Sequence, residues 1–257
     1  LLKRDMIKKF VKAYDYNAAL MVADEIKDDL TEDAYNMIAA AAARLQLDLR
    51  TYTSRIGKVD KIDFMPVKSG KHRKITEYLL SLEIKIKKNE LVDFLRGITP
   101  VIVDLFKEVL LKQYGIKIED YCDERAKNRW DENKLKADKE LYELLSDGYN
   151  GNFQPGNVSS DNFVKIITGE QGGKASMKQL VCDLRDVETA VRNTAAHEIV
   201  SITEEYLKTK TRNIKNGLTS KEIFKMLKEM CVYAGLPGGD KVWDSYDEMN
   251  NIIISHI

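Results

Sequence analysis

Arg192 and His197 are the pair of side chains in this sequence best suited to work on a phosphodiester, with Asn193 between them in the string Arg192-Asn193-Thr194-Ala195-Ala196-His197-Glu198-Ile199. An arginine offers a planar, permanently charged fork that matches two phosphate oxygens. A histidine exchanges a proton near neutral pH. Together they form a minimal set for gripping a phosphate and moving a proton beside it. No acidic cluster accompanies them, so these residues call for no metal. His197-Glu198 starts like the zinc motif HExxH, but Ser201 stands where the second histidine belongs, and the motif fails.

The spacing constrains how the pair must be held. On a continuous helix five positions turn a side chain by about 140°, which is poor placement for sharing a substrate. Yet the apolar pattern Leu180, Leu184, Val187, Val191, Ile199, Ile202, Tyr206 runs on to about Gly217. One rod over 174–216 would measure roughly 60 Å, too long for a compact domain. A break is expected inside it, with Asn193 or Thr194 as the N-cap of a restarted helix. Arg192 would then precede a helix N-terminus and His197 would lie in its first turn. Free N–H groups and the macrodipole favour anions there. From Lys208 to Lys228 seven basic residues face one acid, Glu222. Within that stretch Lys208, Lys210 and Arg212 are candidates to line the path of a phosphate backbone. Lysines that merely complement a helix C-terminus are the plainer reading.

The elements that must position these residues read as helices. Ala19, Val22, Ala23 and Ile26 mark one. Thr31 is a plausible N-cap for a second, running through the alanines at 39–43 to Leu45, where small side chains allow close approach. Residues 68–74 read as a basic loop ahead of the stripe Ile75, Leu79, Leu82, Ile86. The pattern from Leu91 to Val109 contains Pro100, which is expected to kink or restart it with Thr99 as a cap. Gly115 closes it. Loop-rich interruptions fall at 147–160 and 169–173, Thr219 and Glu222 form a capping box, and Asp240 reads as the cap of the last helix. Ile116-Lys117-Ile118 and 163–167 are the short strand candidates, and both could be helix edges. The expected fold is all-α, with a bundle of about six helices over 1–115 and a second helical domain over 116–257.

The composition sets limits. The 257 residues carry 44% apolar and 32% charged side chains, 41 basic against 41 acidic. That excludes a disordered chain and lacks the basic excess of a nucleic-acid coat protein. Four prolines and fourteen glycines are few, which favours long helices. Cys122, Cys182 and Cys231 form no CxxC pair, so they read as reduced thiols in a cytoplasmic protein. No apolar run approaches the ~18 residues of a membrane span. The opening Leu1-Leu2-Lys3 has no methionine, so the chain reads as a piece of a longer polypeptide.

The string from Arg192 to His197 resembles the R-x4–6-H signature of the HEPN superfamily, in which the residue after arginine is typically polar and often asparagine. It is particularly similar to the motif of the type III-A CRISPR ancillary ribonucleases. In that family a Rossmann-like ligand-sensing domain comes first, then a six-helix linker domain, then the HEPN domain. The resemblance implies that 1–115 is the linker and 116–257 the HEPN domain. It also implies that a cyclic oligoadenylate acts only through a sensing domain absent from this chain. Further implications are a homodimer whose two motifs face one cleft, and single-stranded RNA as substrate. Cleavage would proceed by 2′-hydroxyl attack with no metal or other cofactor, in antiviral defence. Arg192 would position the phosphate, His197 assist proton transfer and Asn193 orient the site.

Plainer readings stand beside this one. Arg192 could pair with Glu188 or Glu198, and His197 could be a hydrogen-bonded core histidine. The chain would then be a non-catalytic helical scaffold that binds a protein or RNA partner. A HEPN toxin held by an antitoxin would share the chemistry but not the biology. Trp130 and Trp243 read as packing anchors, and His72 and His256 are given no role.

Overall fold

The computed structural model describes residues 1–197 and 201–257, with the side chains of 192–197 outside that description. In chain order its helices are α1 (Leu2–Lys12), α2 (Tyr16–Glu25), α3 (Glu32–Leu45), α4 (Leu49–Ile56), α5 (Gly70–Lys87), α6 (Leu91–Val109), α7 (Glu132–Ala137), α8 (Lys139–Gly148), α9 (Ser160–Gly169), α10 (Ala175–His197), α11 (Glu204–Lys210), α12 (Ser220–Ala234), α13 (Asp240–Trp243) and α14 (Ser245–His256). The protein is all-α. Its nearest approach to a sheet, among the described residues, is two isolated bridges, Cys122 with Trp130 and Arg129 with Asn157. Residues 163–167 lie inside α9, and Ile118 opens a 3-10 turn.

Packing divides the chain into two compact units, Leu1–Glu90 with Pro237–Ile257, and Leu91–Leu236. This division falls at a different place from the sequence boundary at 115, because α6 packs within the second unit and α14 within the first.

In the first unit α3 is the central helix. Its Thr31 side chain accepts from Ala34 N at 3.1 Å, as an N-cap should. Its alanines are buried and let α2 and α4 pack closely. Arg44, in its last turn, is wholly buried. The guanidinium meets both oxygens of Glu77 on α5, at 2.8 and 3.1 Å, and Ser245 Oγ at 2.9 Å. It also lies 4.1 Å from the centroid of the Tyr246 ring. One ion pair thereby joins α3, α5 and α14. Lys87 bonds Asp247 at 2.8 Å, and the Tyr14 hydroxyl bonds the same carboxylate. Two sequence expectations change here. The basic stretch 68–74 is only partly a loop, because α5 starts at Gly70 and takes Lys71 to Lys74 into its first turns. Asp240 is not the cap of the last helix: it opens the short α13, whose N-cap is Gly239, and Asp244 precedes α14.

In the second unit α6 is the hub, packing against α9, α10 and α12. Its inward stripe of Ile98, Ile102, Leu105, Phe106 and Val109 is essentially fully buried. Each such side chain contributes about 1.5–3 kcal/mol relative to exposure. Pro100 does not interrupt the helix. The proline removes one backbone bond, but it sits on the exposed side, where water serves the freed carbonyl. The buried residues on either side then hold the helix together, and Thr99 is helix interior rather than a cap. A π turn, Leu110–Tyr114, extends α6 to Gly115, whose left-handed φ of 72° closes it. α10 faces this core with Met177, Leu180, Val181, Leu184, Val187 and Val191.

Candidate functional site

α10 carries the motif. It runs unbroken from Ala175 to His197, so no restart occurs at Asn193 or Thr194. The long pattern is broken further on: Ser201 to Thr203 are not helical, and Thr203 caps α11 by accepting from Tyr206 N at 3.2 Å. The physical reason for the correction is packing. Buried positions from Met177 to Val191 keep α10 continuous against α6, α9 and α12, and that outweighs two available caps. Arg192, Asn193 and His197 thus belong to the C-terminal part of a 23-residue helix. This is the end where the macrodipole favours cations, not anions. The side chains of Arg192, Asn193 and His197 lie outside the described residues.

The described part of α10 leads to the motif through a buried polar cluster. Glu188 is 1% exposed, and its Oε2 accepts from Ser160 Oγ at 2.5 Å and Arg185 Nη1 at 2.9 Å. Arg185 Nε is also 3.6 Å from Asp161 Oδ1. Tyr149 donates to Asp161 Oδ2 at 2.6 Å, and burial together with that carboxylate pushes its phenol pKa up. Asn162 completes the cluster. It forms a capping box with Ser159 at the start of α9, accepts from Trp130 Nε1 at 3.1 Å and donates to Tyr149 at 2.8 Å. Trp130 is accordingly a packing anchor. Sequence reasoning singled out none of these residues as functional. The spacing of four between Glu188 and Arg192 was readable as an ion pair, whereas Ser160 is 28 positions from Glu188 and leaves no local signal.

Lys208, Lys210 and Arg212 are exposed on α11 and just after it. Lys210 Nζ stands 5.4 Å from the Tyr206 ring centroid. The segment is rigidly placed: Glu204 accepts from Ser220 N at 2.8 Å and from the Ser220 hydroxyl. The Thr211 hydroxyl donates to Leu207 O and accepts from Leu218 N, both at 2.7 Å. Gly217 turns the chain at φ 98°, where a Cβ would come within 2.7 Å of Lys208 O. Thr219 and Glu222 form the expected capping box of α12.

The three cysteines are unpaired. Burial raises the Cys231 thiol to about 12. No three His, Cys, Asp or Glu side chains among the described residues cluster as a metal site. No helix among them is long and apolar enough to cross a membrane.

The chain matches two known families, the Cas_Csm6 HEPN domain over residues 64–254 and the CRISPR-associated protein Csm6 6H domain over residues 1–45. It is 26% identical over 257 residues to the CRISPR system endoribonuclease Csm6 of Mycobacterium tuberculosis, covering 100% of this chain and 55% of that protein. Its fold is similar to Enterococcus italicus Csm6 bound to cyclic hexa-2′-fluoro-hexa-dAMP. That match has a TM-score of 0.70 and 13% identity, over 100% of this chain and 57% of that one. The chain therefore spans a little over half the length of these relatives.

Proposed function

This chain belongs to the CRISPR-associated Csm6 HEPN family, and we propose that it is the RNA-cutting part of a metal-independent endoribonuclease acting in CRISPR antiviral defence. The observation that carries the reading is the position of the Arg192–Asn193–His197 string. It lies on the core-packed helix α10, inside the family match. In this reading the ribose 2′-hydroxyl of single-stranded RNA attacks the adjacent phosphorus and the bond to the 5′-oxygen breaks. The products carry a 2′,3′-cyclic phosphate and a 5′-hydroxyl. Arg192 grips the phosphate and stabilises its growing charge, His197 assists proton transfer, and Asn193 orients them.

Continuity of α10 supports a site shared between two copies of the chain. Positions 192 and 197 stand about 140° apart around one helix, so one copy alone serves a single phosphate poorly. A homodimer that brings two motifs to one cleft removes that difficulty. Lys208, Lys210 and Arg212 guide the RNA backbone. We assign the linker to 1–115 and the HEPN domain to 116–257, in the cytoplasm. A cyclic oligoadenylate acts only through a sensing domain that these 257 residues do not include.

The test is mutational. Arg192→Ala and His197→Ala are each expected to lower cleavage by about 10²–10³, with the thermal midpoint and the oligomeric state unchanged. Full activity in either purified variant overturns the reading. Loss of thermal stability in place of activity points to the scaffold alternative.

A further inference from the structure

A pocket of about 300 Å³ lies in the first unit, lined by the turn after α2, the first turns of α3 and the end of α4. Asn36 lines it although only 2% of that residue is exposed. Its side-chain oxygen accepts a long bond from Arg55 Nη1, 3.4 Å. A guanidinium only donates, so this contact fixes which way the amide points. The two N–H groups on Asn36 Nδ2 are left over. They have no hydrogen-bond partner among the described residues, yet the nitrogen is not sealed from solvent. These donors therefore open into the pocket that Asn36 lines. Cations gather around them. Arg55 is partly buried, with its guanidinium 5.9 Å from the centroid of the Tyr35 ring, and Lys27 Nζ lies over the same ring at 4.7 Å. The Tyr35 hydroxyl donates to Asp24 at 2.7 Å, which holds the ring in place. Lys58 follows Arg55 by three positions and lines the same pocket. Among the described residues none of these three cations is ion-paired.

One amide bond and an aromatic face hold Arg55 and leave most of its five-donor fork unused. A positioned guanidinium without a carboxylate, beside a nearly buried amide with two idle donors, is suited to an oxyanion, and to phosphate above all. Asp28 and Glu32 line the pocket as well, exposed and also without an ion pair among the described residues. Ionised carboxylates only accept hydrogen bonds, so they suit hydroxyl groups. We propose that this pocket binds a small sugar phosphate: Arg55, Asn36 Nδ2 and Lys58 take the phosphate, and Asp28 and Glu32 take the sugar hydroxyls. Its volume stands at the lower end for small-ligand sites, enough for a phosphate with one sugar. The stretch 24–33 carries six acids and one lysine. Such a density of negative charge repels a long polyanion, which favours a compact phosphate ester over an RNA strand. The site uses residues of the first unit alone, so it stands independently of the ribonuclease reading.

Isothermal titration calorimetry on the full chain tests this with ribose 5-phosphate, ribose, inorganic phosphate and adenosine monophosphate as probes. Ribose 5-phosphate is expected to bind in the millimolar range or tighter, inorganic phosphate more weakly, and ribose not at all. Tighter binding of adenosine monophosphate identifies the ligand as a nucleotide, and equal binding identifies a plain sugar phosphate. Asn36→Asp replaces the amide donors by a carboxylate of the same shape. It should weaken ribose 5-phosphate about 10–100-fold, the worth of hydrogen bonds to a charged group. Lys58→Ala alters an exposed side chain, so it tests the site without endangering the fold. Binding there should weaken and depend less on salt. If Asn36→Asp does not fold, Lys58→Ala decides. No binding of ribose 5-phosphate at millimolar concentration overturns the proposal. So does an affinity that the folded variants leave unaltered, or one that ribose matches. A single-stranded RNA oligomer that needs Lys58 where ribose 5-phosphate fails to bind would give the pocket to a strand, and also overturns it.

Discussion

Lys208, Lys210 and Arg212 extend into solvent from a segment whose backbone is fixed by Glu204, Thr211 and Gly217. Exposed cations on a firm base suit a phosphate backbone, since each contact releases condensed counterions. Replacing all three by alanine should weaken RNA binding and flatten its dependence on salt. For single strands each lost contact is worth about 0.7 in the log–log slope, so the slope should shrink by about 2. An unchanged slope in a fluorescence-anisotropy titration would assign them to the helix dipole instead. At this scale the sequence showed residue types and near neighbours. It displayed Arg192, Asn193, His197 and the basic run because each is local in the chain. It hid the Ser160–Glu188 and Trp130–Asn162 bonds, because only the fold brings those side chains together.

α3, α5 and α14 are joined by the buried pair Arg44–Glu77, both 0% exposed. Breaking such a pair leaves an uncompensated charge inside the protein, at a cost of about 3–5 kcal/mol. Glu77→Ala should therefore lower stability by that order in chemical denaturation, and a loss below about 1 kcal/mol contradicts the account. α14 has a second, pH-sensitive tie. Burial raises the Asp247 carboxyl, but bonds from Lys87 and Tyr14 outweigh it and hold its pKa below the usual aspartate range. A depressed carboxyl stabilises the fold above its unfolded pKa of about 3.9, and that contribution is lost as pH falls through the folded value. Asp247→Asn should thus flatten the acid limb of the unfolding curve below about pH 4. An identical acid limb in variant and wild type would remove Asp247 from the account. Element types were legible where a cap or a stripe signalled them, as at Thr31, Gly115 and Thr219. Two breaks were misplaced, at Pro100 and at Asn193. In both, the sequence displayed a legitimate breaker, and burial along α6 and along α10 up to Val191 overrode it.

At the scale of the molecule, a balanced charge of 41 against 41 excludes binding by bulk electrostatics, so any RNA affinity must be local. The all-α architecture was legible from low glycine and proline content and from helical periodicity almost throughout. The packing units were not, because they depend on α14 returning to α1 and α3, a long-range choice with no sequence signature. The proposed function is one reaction, catalysed without a metal by residues of α10. The most direct measurement is therefore incubation of the purified chain with end-labelled single-stranded RNA in excess EDTA, wild type beside His197→Ala, over a series of protein concentrations. The account predicts cutting by the wild type alone, leaving 2′,3′-cyclic phosphate and 5′-hydroxyl ends. Equal cutting by both proteins, or cutting that stops in EDTA, would contradict it.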